Sequence, residues 1–330
     1  QLRYLPERTL IIGDEAHNLG AAKVEESLPR QVGLRLGLSA TPERYYDDDG
    51  TQSLLSYFGA VIQPEFTLKD AISQGALVHY LYYPVLVELT ETESIAYSKI
   101  TQKIGRKLLF KNKEGADLTD IENNEDITHL LMRRARLVGA AENKLNALRE
   151  LMQRRRETTH TLFYCGDASP QADSKSDLSQ LRAVTQILGV ELNYRITTYT
   201  AQTPLEEREK LRRQFESGEL QGLVAIKCLD EGVDIPAIQT AVILASSSNP
   251  RQFIQRRGRV LRPHPGKERA TVFDMIVLPP DLDRNTLEVE RNLLRKELKR
   301  FIEFADLADN AGEARIKLLE LQKRYGLLSI

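Results

Sequence analysis

Two adjacent carboxylates close a short apolar run in Thr9-Leu10-Ile11-Ile12-Gly13-Asp14-Glu15-Ala16-His17. Residues 10–12 are too few for a core helix and predict a buried strand. In an open α/β sheet, ligands collect beyond the carboxyl ends of the strands, so Asp14 and Glu15 emerge where a ligand would sit. One carboxylate there can hold Mg²⁺, largely through water; the next can orient or deprotonate an attacking water. A second predicted strand, 34–38, opens onto Ser39-Ala40-Thr41-Pro42. Taken alone, two hydroxyls beside a proline are equally the make-up of a capped turn.

Two later stretches carry complementary chemistry. In Lys227-Cys228-Leu229-Asp230-Glu231-Gly232-Val233-Asp234-Ile235-Pro236, a strand runs into an acidic turn. Gly232 lets the backbone come close to a partner there, and Asp234 can accept from a ribose or bridge to another domain. Gln255-Arg256-Arg257-Gly258-Arg259-Val260-Leu261-Arg262 sets four arginines around one glycine. Arg259 and Arg262 are three apart and share a face of the helix predicted over 253–261. Planar, permanently charged guanidinium groups suit a transferring phosphoryl group.

The elements that must position these residues follow from periodicity. From 159 onward, predicted strands (159–165, 196–200, 223–226, 240–245, 271–277) alternate with predicted helices (178–189, 205–215, 253–261), which argues a parallel, doubly wound sheet. Gly189 is expected to end the first of these helices and Pro204 to start the second. Upstream, 80–89 holds a strand, 90–109 and 127–156 read as helices, and 45–51 and 111–126 as exposed loops. Arg133, Arg134, Arg136 and 154–156 read as a solvated basic face.

The formal net charge over 330 residues is −1, so no bulk basic field attracts nucleic acid and any such contact must be local. Two cysteines, Cys165 and Cys228, sit in apolar runs with no C-x-x-C, as in a reduced, cytoplasmic protein. No apolar run reaches membrane-spanning length.

Taken together, the chain resembles the superfamily 2 (DEAD/DEAH-box) helicases and translocases, in wording nearest the XPB-like branch. Asp14-Glu15-Ala16-His17 is similar to their motif II, Ser39-Ala40-Thr41 to motif III, 227–236 to motif V and 255–262 to motif VI. The likeness runs from 9 to 279, about four-fifths of the chain. It implies an α/β fold of two RecA-like parallel-sheet domains, the first incomplete, with a helical connector and a C-terminal helical tail. The implied segments are 1–66 (C-terminal half of the first domain), 67–157 (connector), 158–280 (second domain) and 281–330 (helical tail).

The resemblance also implies roles. Asp14 serves Mg²⁺ and Glu15 activates water. Arg259 and Arg262 act as arginine fingers on ATP, and His17, Gly232, Asp234, Gln255 and Arg256 line the nucleotide. Ser39 and Thr41 couple the nucleotide site to strand binding, and Thr200 and Arg208 fall in a block on the nucleic-acid side. ATP and Mg²⁺ are the implied cofactors, and nucleic acid, with DNA favoured over RNA, is the implied partner.

Two departures bear on this. Ile226 stands where related proteins often carry a phosphate-touching threonine. No G-x-x-x-x-G-K-[ST] phosphate loop occurs in the 330 residues. The expectation is therefore the C-terminal part of a longer enzyme, cut or split just before motif II, with the missing N-terminal half as its partner, and a chain without ATP turnover of its own. The alternative is a nucleic-acid-binding fragment or degenerate subunit. A nuclease reading rests on Pro280-Asp281 with Glu297-Leu298-Lys299, but it needs the latter on a strand, and the sequence there predicts a charged helix.

Overall fold

The computed structural model describes residues 8–20, 27–39, 42, 48–112, 125–166, 174–200, 202–226, 235–244, 257–280 and 284–329. Strands β1 (Leu10–Gly13) and β2 (Leu34–Gly37) pair in parallel, Leu10 opposite Leu34 and Gly13 opposite Gly37. Helix α1 (Asp48–Phe58) covers one face of this pair. The close approach requires the glycines: a Cβ on Gly13 would lie 2.9 Å from the Phe58 ring, and one on Gly37 3.1 Å from it. Arg35, on the same face, donates to the carbonyls of Val32, Tyr57 and Arg30 and stacks over the Tyr57 ring. The expected loop over 45–51 is corrected here, because α1 begins at Asp48 and its apolar residues Leu54 and Tyr57 are buried. The opposite face of the pair presents Leu10, Ile12 and Leu34 at 51–60% exposure.

The second unit is a six-stranded parallel sheet built from β3 (His79–Glu88), β4 (Thr161–Cys165), β5 (Ile196–Tyr199), β6 (Gly222–Ile226), β7 (Thr240–Ile243) and β8 (Arg269–Leu278). Their order across the sheet is β3-β8-β7-β4-β6-β5. Side chains alternate between two apolar layers, as the period of two demands. Leu162, Tyr164, Leu223, Ala225, Ala241 and Ile243 point into one layer; Phe163, Cys165, Val224 and Val242 point into the other. Burial on both faces is why these strands read as unbroken apolar runs.

Helices α5 (Asn143–Gln153) and α6 (Ser174–Thr185) fill the layer that holds Phe163. Helices α7 (Leu205–Glu216), α8 (Arg284–Asp306) and α9 (Ala311–Tyr325) fill the layer that holds Tyr164, where Ile72 of α2 (Leu68–Ser73) joins them. Helices α3 (Glu91–Asn112) and α4 (Glu125–Gly139) pack on each other, and α3 packs on α8.

The sheet therefore takes its edge strand β3 from within 67–157, and its covering helices α8 and α9 from within 281–330. β3 zips onto β8 over ten residues, from His79 opposite Arg269 to Glu88 opposite Leu278. Asn310 clamps the outer side of β3: its Oδ1 accepts the Tyr82 N–H at 2.8 Å, and its Nδ2 donates to the Tyr82 carbonyl at 3.0 Å. Two helix boundaries also differ from expectation. The 127–156 stretch breaks between α4 and α5, where the Gly139 carbonyl turns to accept from Gln180. Gly189 does not end α6; it lies inside a π-helical turn, Gln186–Glu191, closed by Asn193 at φ 59°. That wider turn sets Ile187, Leu188, Leu192 and Tyr194 into the core.

Candidate ATP site and finger turn

Asp14 and Glu15 stand where β1 ends, at the carboxyl edge of its sheet. The chain turns sharply there: Glu15 holds a left-handed φ of 46°, and the Asp14 carboxylate accepts the Glu15 N–H at 2.9 Å. Two backbone bonds, Ala16 N–H to Leu38 O and Leu38 N–H to Gly13 O, stitch this turn to the end of β2. His17 is 2% exposed. Its Nδ1 lies 2.9 Å from Ser39 Oγ and 3.4 Å from Glu15 Oε2. Glu15, His17 and Ser39, expected from two separate motifs, thus meet at one histidine nitrogen, through a hydrogen bond to Ser39 and a close carboxylate contact to Glu15. The Asp14 carboxylate is exposed, and such a hard oxygen donor suits Mg²⁺ held largely through water. Thr41 lies outside the described residues, as do Gly232, Asp234, Gln255 and Arg256.

The turn that carries the candidate fingers Arg259 and Arg262 occupies 257–262. Arg257 is 2% exposed and forms a hydrogen-bonded ion pair with Asp274 of β8, which is fully buried. The same carboxylate accepts the Tyr82 hydroxyl at 2.9 Å. The Arg257 guanidinium also stacks 5.2 Å from the Phe304 ring centroid. Arg257 therefore anchors the turn, while Arg259 and Arg262 stay partly exposed. Helix periodicity separates them: Arg259 and Arg262 share a side that Arg257 does not. At the far end, the buried Lys267 ammonium donates to the carbonyls of Val260 at 2.7 Å, Arg262 at 2.8 Å and Pro236 at 3.1 Å.

Other cations have structural partners. Arg208 donates to the carbonyls of Thr203 at 2.9 Å and Thr200 at 3.4 Å, and lies over the Tyr199 ring; it shapes the turn after β5. Ile226 packs against the apolar layer that contains Phe163. Lys144, which sequence reasoning passed over, is fully buried, and its Nζ donates to the Leu244 carbonyl just past β7. Burial pushes its amine down to about 8, against the pull of Asp274 and Glu93. Burial likewise raises the Cys165 thiol well above its ordinary value, which leaves it an inert core residue.

Arg134 corrects the expectation of a solvated basic face. It is 6% exposed and pairs with Glu290 at 2.7 Å, with the Tyr97 hydroxyl donating to the same carboxylate oxygen. A groove of about 390 Å³ between α3 and α4 remains basic, lined by Lys103, Arg106, Lys107, His129 and Leu130. A larger cavity of about 550 Å³ lies at the N-terminal ends of β3 and β8, the end of a parallel sheet away from ligand chemistry. There Asp309 meets both His79 and Arg269.

Residues 143–264 match the model of the helicase conserved C-terminal domain. This stretch is a superfamily 2 helicase C-terminal domain, XPB-like in kind. The chain is 27% identical over 256 residues to the DNA 3'-5' translocase XPB2 of Sulfurisphaera tokodaii, an overlap of 77% of this chain and 55% of that protein. It is 26% identical over 260 residues to a putative DNA 3'-5' helicase Rad25 of Haloarcula marismortui, covering 77% and 33%. The chain thus spans about half the length, or less, of the curated relatives it matches. Among solved structures, the Pyrococcus furiosus Hef helicase domain is similar at TM-score 0.43 and 16% identity, covering 82% of this chain and 70% of that one. Helicase or translocase kinship, with the general use of ATP and Mg²⁺ that goes with it, holds for the helicase C-terminal domain at the level of the family.

Proposed function

We propose that this chain is the C-terminal part of an ATP-dependent DNA helicase or translocase, a cytoplasmic enzyme whose nucleotide site needs both of its sheets. The observation that carries the reading is the meeting of Glu15 and Ser39 at the His17 ring at the carboxyl end of β1. It joins a carboxylate pair suited to Mg²⁺ and water with a strand end that can sense a bound nucleic acid. Mg²⁺ would neutralise charge on the phosphates when bound. Asp14 would hold it through water, and Glu15 would orient the attacking water. Arg259 and Arg262 would meet the charge that develops on the transferring phosphoryl group. Arg208 and Thr200 would act on nucleic acid through the turn they shape. The words "DNA 3'-5'" in the names of two relatives support DNA over RNA.

The reading includes a phosphate-binding loop on a segment outside these 330 residues. The solvent-facing Leu10, Ile12 and Leu34 support this, because parallel strands are otherwise buried on both faces.

The test is Mg²⁺-ATP turnover, with and without DNA, by the full-length protein and by this chain alone. We expect DNA-stimulated turnover from the full-length protein, its loss in Asp14→Asn and Glu15→Gln, and none from the chain alone. DNA binding without turnover in the full-length protein would favour the degenerate-subunit reading. Robust turnover by the 330 residues would overturn the proposal of a separate phosphate loop. Affinity for DNA should fall steeply with salt, since local phosphate contacts release counterions.

A further inference from the structure

We propose that Lys267 is a positioning residue for the two fingers. The inference rests on the proposed role of Arg259 and Arg262. Lys267 is 7% exposed, and its ammonium meets three carbonyl oxygens within 3.1 Å. An ammonium has three donors and no acceptor, so three carbonyls satisfy it completely. The three come from two places. Val260 and Arg262 end the finger turn, whereas Pro236 ends the acidic segment that runs out from β6.

One charge therefore holds both motif ends at a single point. A cation there also complements the carbonyl end of the helical turn. The Lys267 backbone is itself fixed, with its N–H donating to the His264 carbonyl at 2.9 Å. The opposite end of the turn is pinned independently by Arg257 on Asp274. Between the two anchors, Arg259 and Arg262 have their backbone placed relative to β8 on one side and to the strand-end segment on the other. Only a compact ammonium can converge on three oxygens in this way; the planar fork of arginine cannot.

The experiment compares wild type with Lys267→Met, Lys267→Arg and Arg257→Met. It reads amide hydrogen exchange at Ile238, Leu261 and Arg262, with the β4 amides as reference. Lys267→Met should speed exchange about tenfold or more at all three positions together, as expected when charge-assisted hydrogen bonds are lost. β4 should be unchanged and Lys267→Arg should not rescue. Measured relative to the β4 amides, which report the global loss of stability, Arg257→Met should loosen Leu261 and Arg262 but not Ile238. In the full-length protein, Lys267→Met should lower ATP turnover about tenfold or more while nucleotide affinity moves little.

Exchange that changes in only one segment, that changes equally in β4, or that Lys267→Arg restores would overturn the inference. Turnover unaffected by Lys267→Met in an active enzyme would overturn it as well. If the wild-type protein hydrolyses no ATP, the proposed function fails, and the exchange arm still decides whether the clamp exists.

Discussion

Replacing Arg257 with methionine should destabilise the second unit strongly, although a run of arginines beside a glycine suggests a surface position. The side chain keeps much of its length and loses its charge. Asp274 is fully buried, so its carboxylate would lose the guanidinium that neutralises it in a place water does not reach. Breaking such a pair from one side costs about 3–5 kcal/mol. Loss of the stacking on Phe304 adds about 0.5–2 kcal/mol. The double variant Arg257→Met/Asp274→Leu removes both charges and leaves the Tyr82 hydroxyl without its acceptor, a penalty of about 1–3 kcal/mol. The double change should therefore cost less than Arg257→Met alone, with a coupling of about 2 kcal/mol or more. The chain has no tryptophan, so urea unfolding should be followed by far-ultraviolet circular dichroism. The cost should be insensitive to salt, because a buried pair is poorly screened. A single variant costing under about 1 kcal/mol would refute the burial argument, as would a double variant equal to the sum of the singles.

Three further outcomes are expected. Lys144 has a folded-state value lowered to about 8 from 10.5, so the unfolded chain binds the extra proton between those values and stability should rise with pH across that window. The rise amounts to about 3 kcal/mol, and Lys144→Met should flatten it in urea titrations at pH 7 to 10.5. Gly13→Ala should cost about 1–3 kcal/mol and loosen β1 in hydrogen exchange, because the new methyl would sit 2.8 Å from Leu19 Cδ1 and 2.9 Å from the Phe58 ring. In the full-length protein, Arg259→Lys and Arg262→Lys should each lower kcat by about 10³-fold while ATP binding weakens much less; near wild-type turnover from both would return the cluster to a structural role.

Much of the second unit was legible because its strands are buried on both faces and stand out as apolar runs between helices with polar faces. The 223–226 run and the 205–215 helix fall within a residue of the observed elements, and the 159–165 run within two. The alternating, β-branched run at 85–89 marked β3, but nothing in its sequence announced that it would pair with a strand 190 residues later (His79 with Arg269). The 45–51 stretch looked like a loop because acids and a glycine dominate it; the helix there is held by Leu54, Tyr57 and Phe58 further on. Gly189 looked like a helix stop because glycine favours left-handed caps, yet Asn193 takes that conformation instead.

At the site, residue type and spacing by themselves determined which chemistry was available: paired carboxylates after a strand, hydroxyls after the next, guanidinium groups three apart on a turn. These are local properties, carried by side-chain identity and the period of the backbone. Tertiary structure alone decided which charges were committed elsewhere. Arg257, Arg134 and Lys267 are indistinguishable in sequence from solvated cations, and each is buried against an acceptor from elsewhere in the chain: Asp274, Glu290 and the Pro236 carbonyl. Their partners are brought near by sheet order and helix packing, whose energy is summed over the whole core and is not encoded in the neighbours of any one residue. The bond between His17 and Ser39 has the same origin, since the parallel pairing of β1 and β2 sets two strand ends side by side.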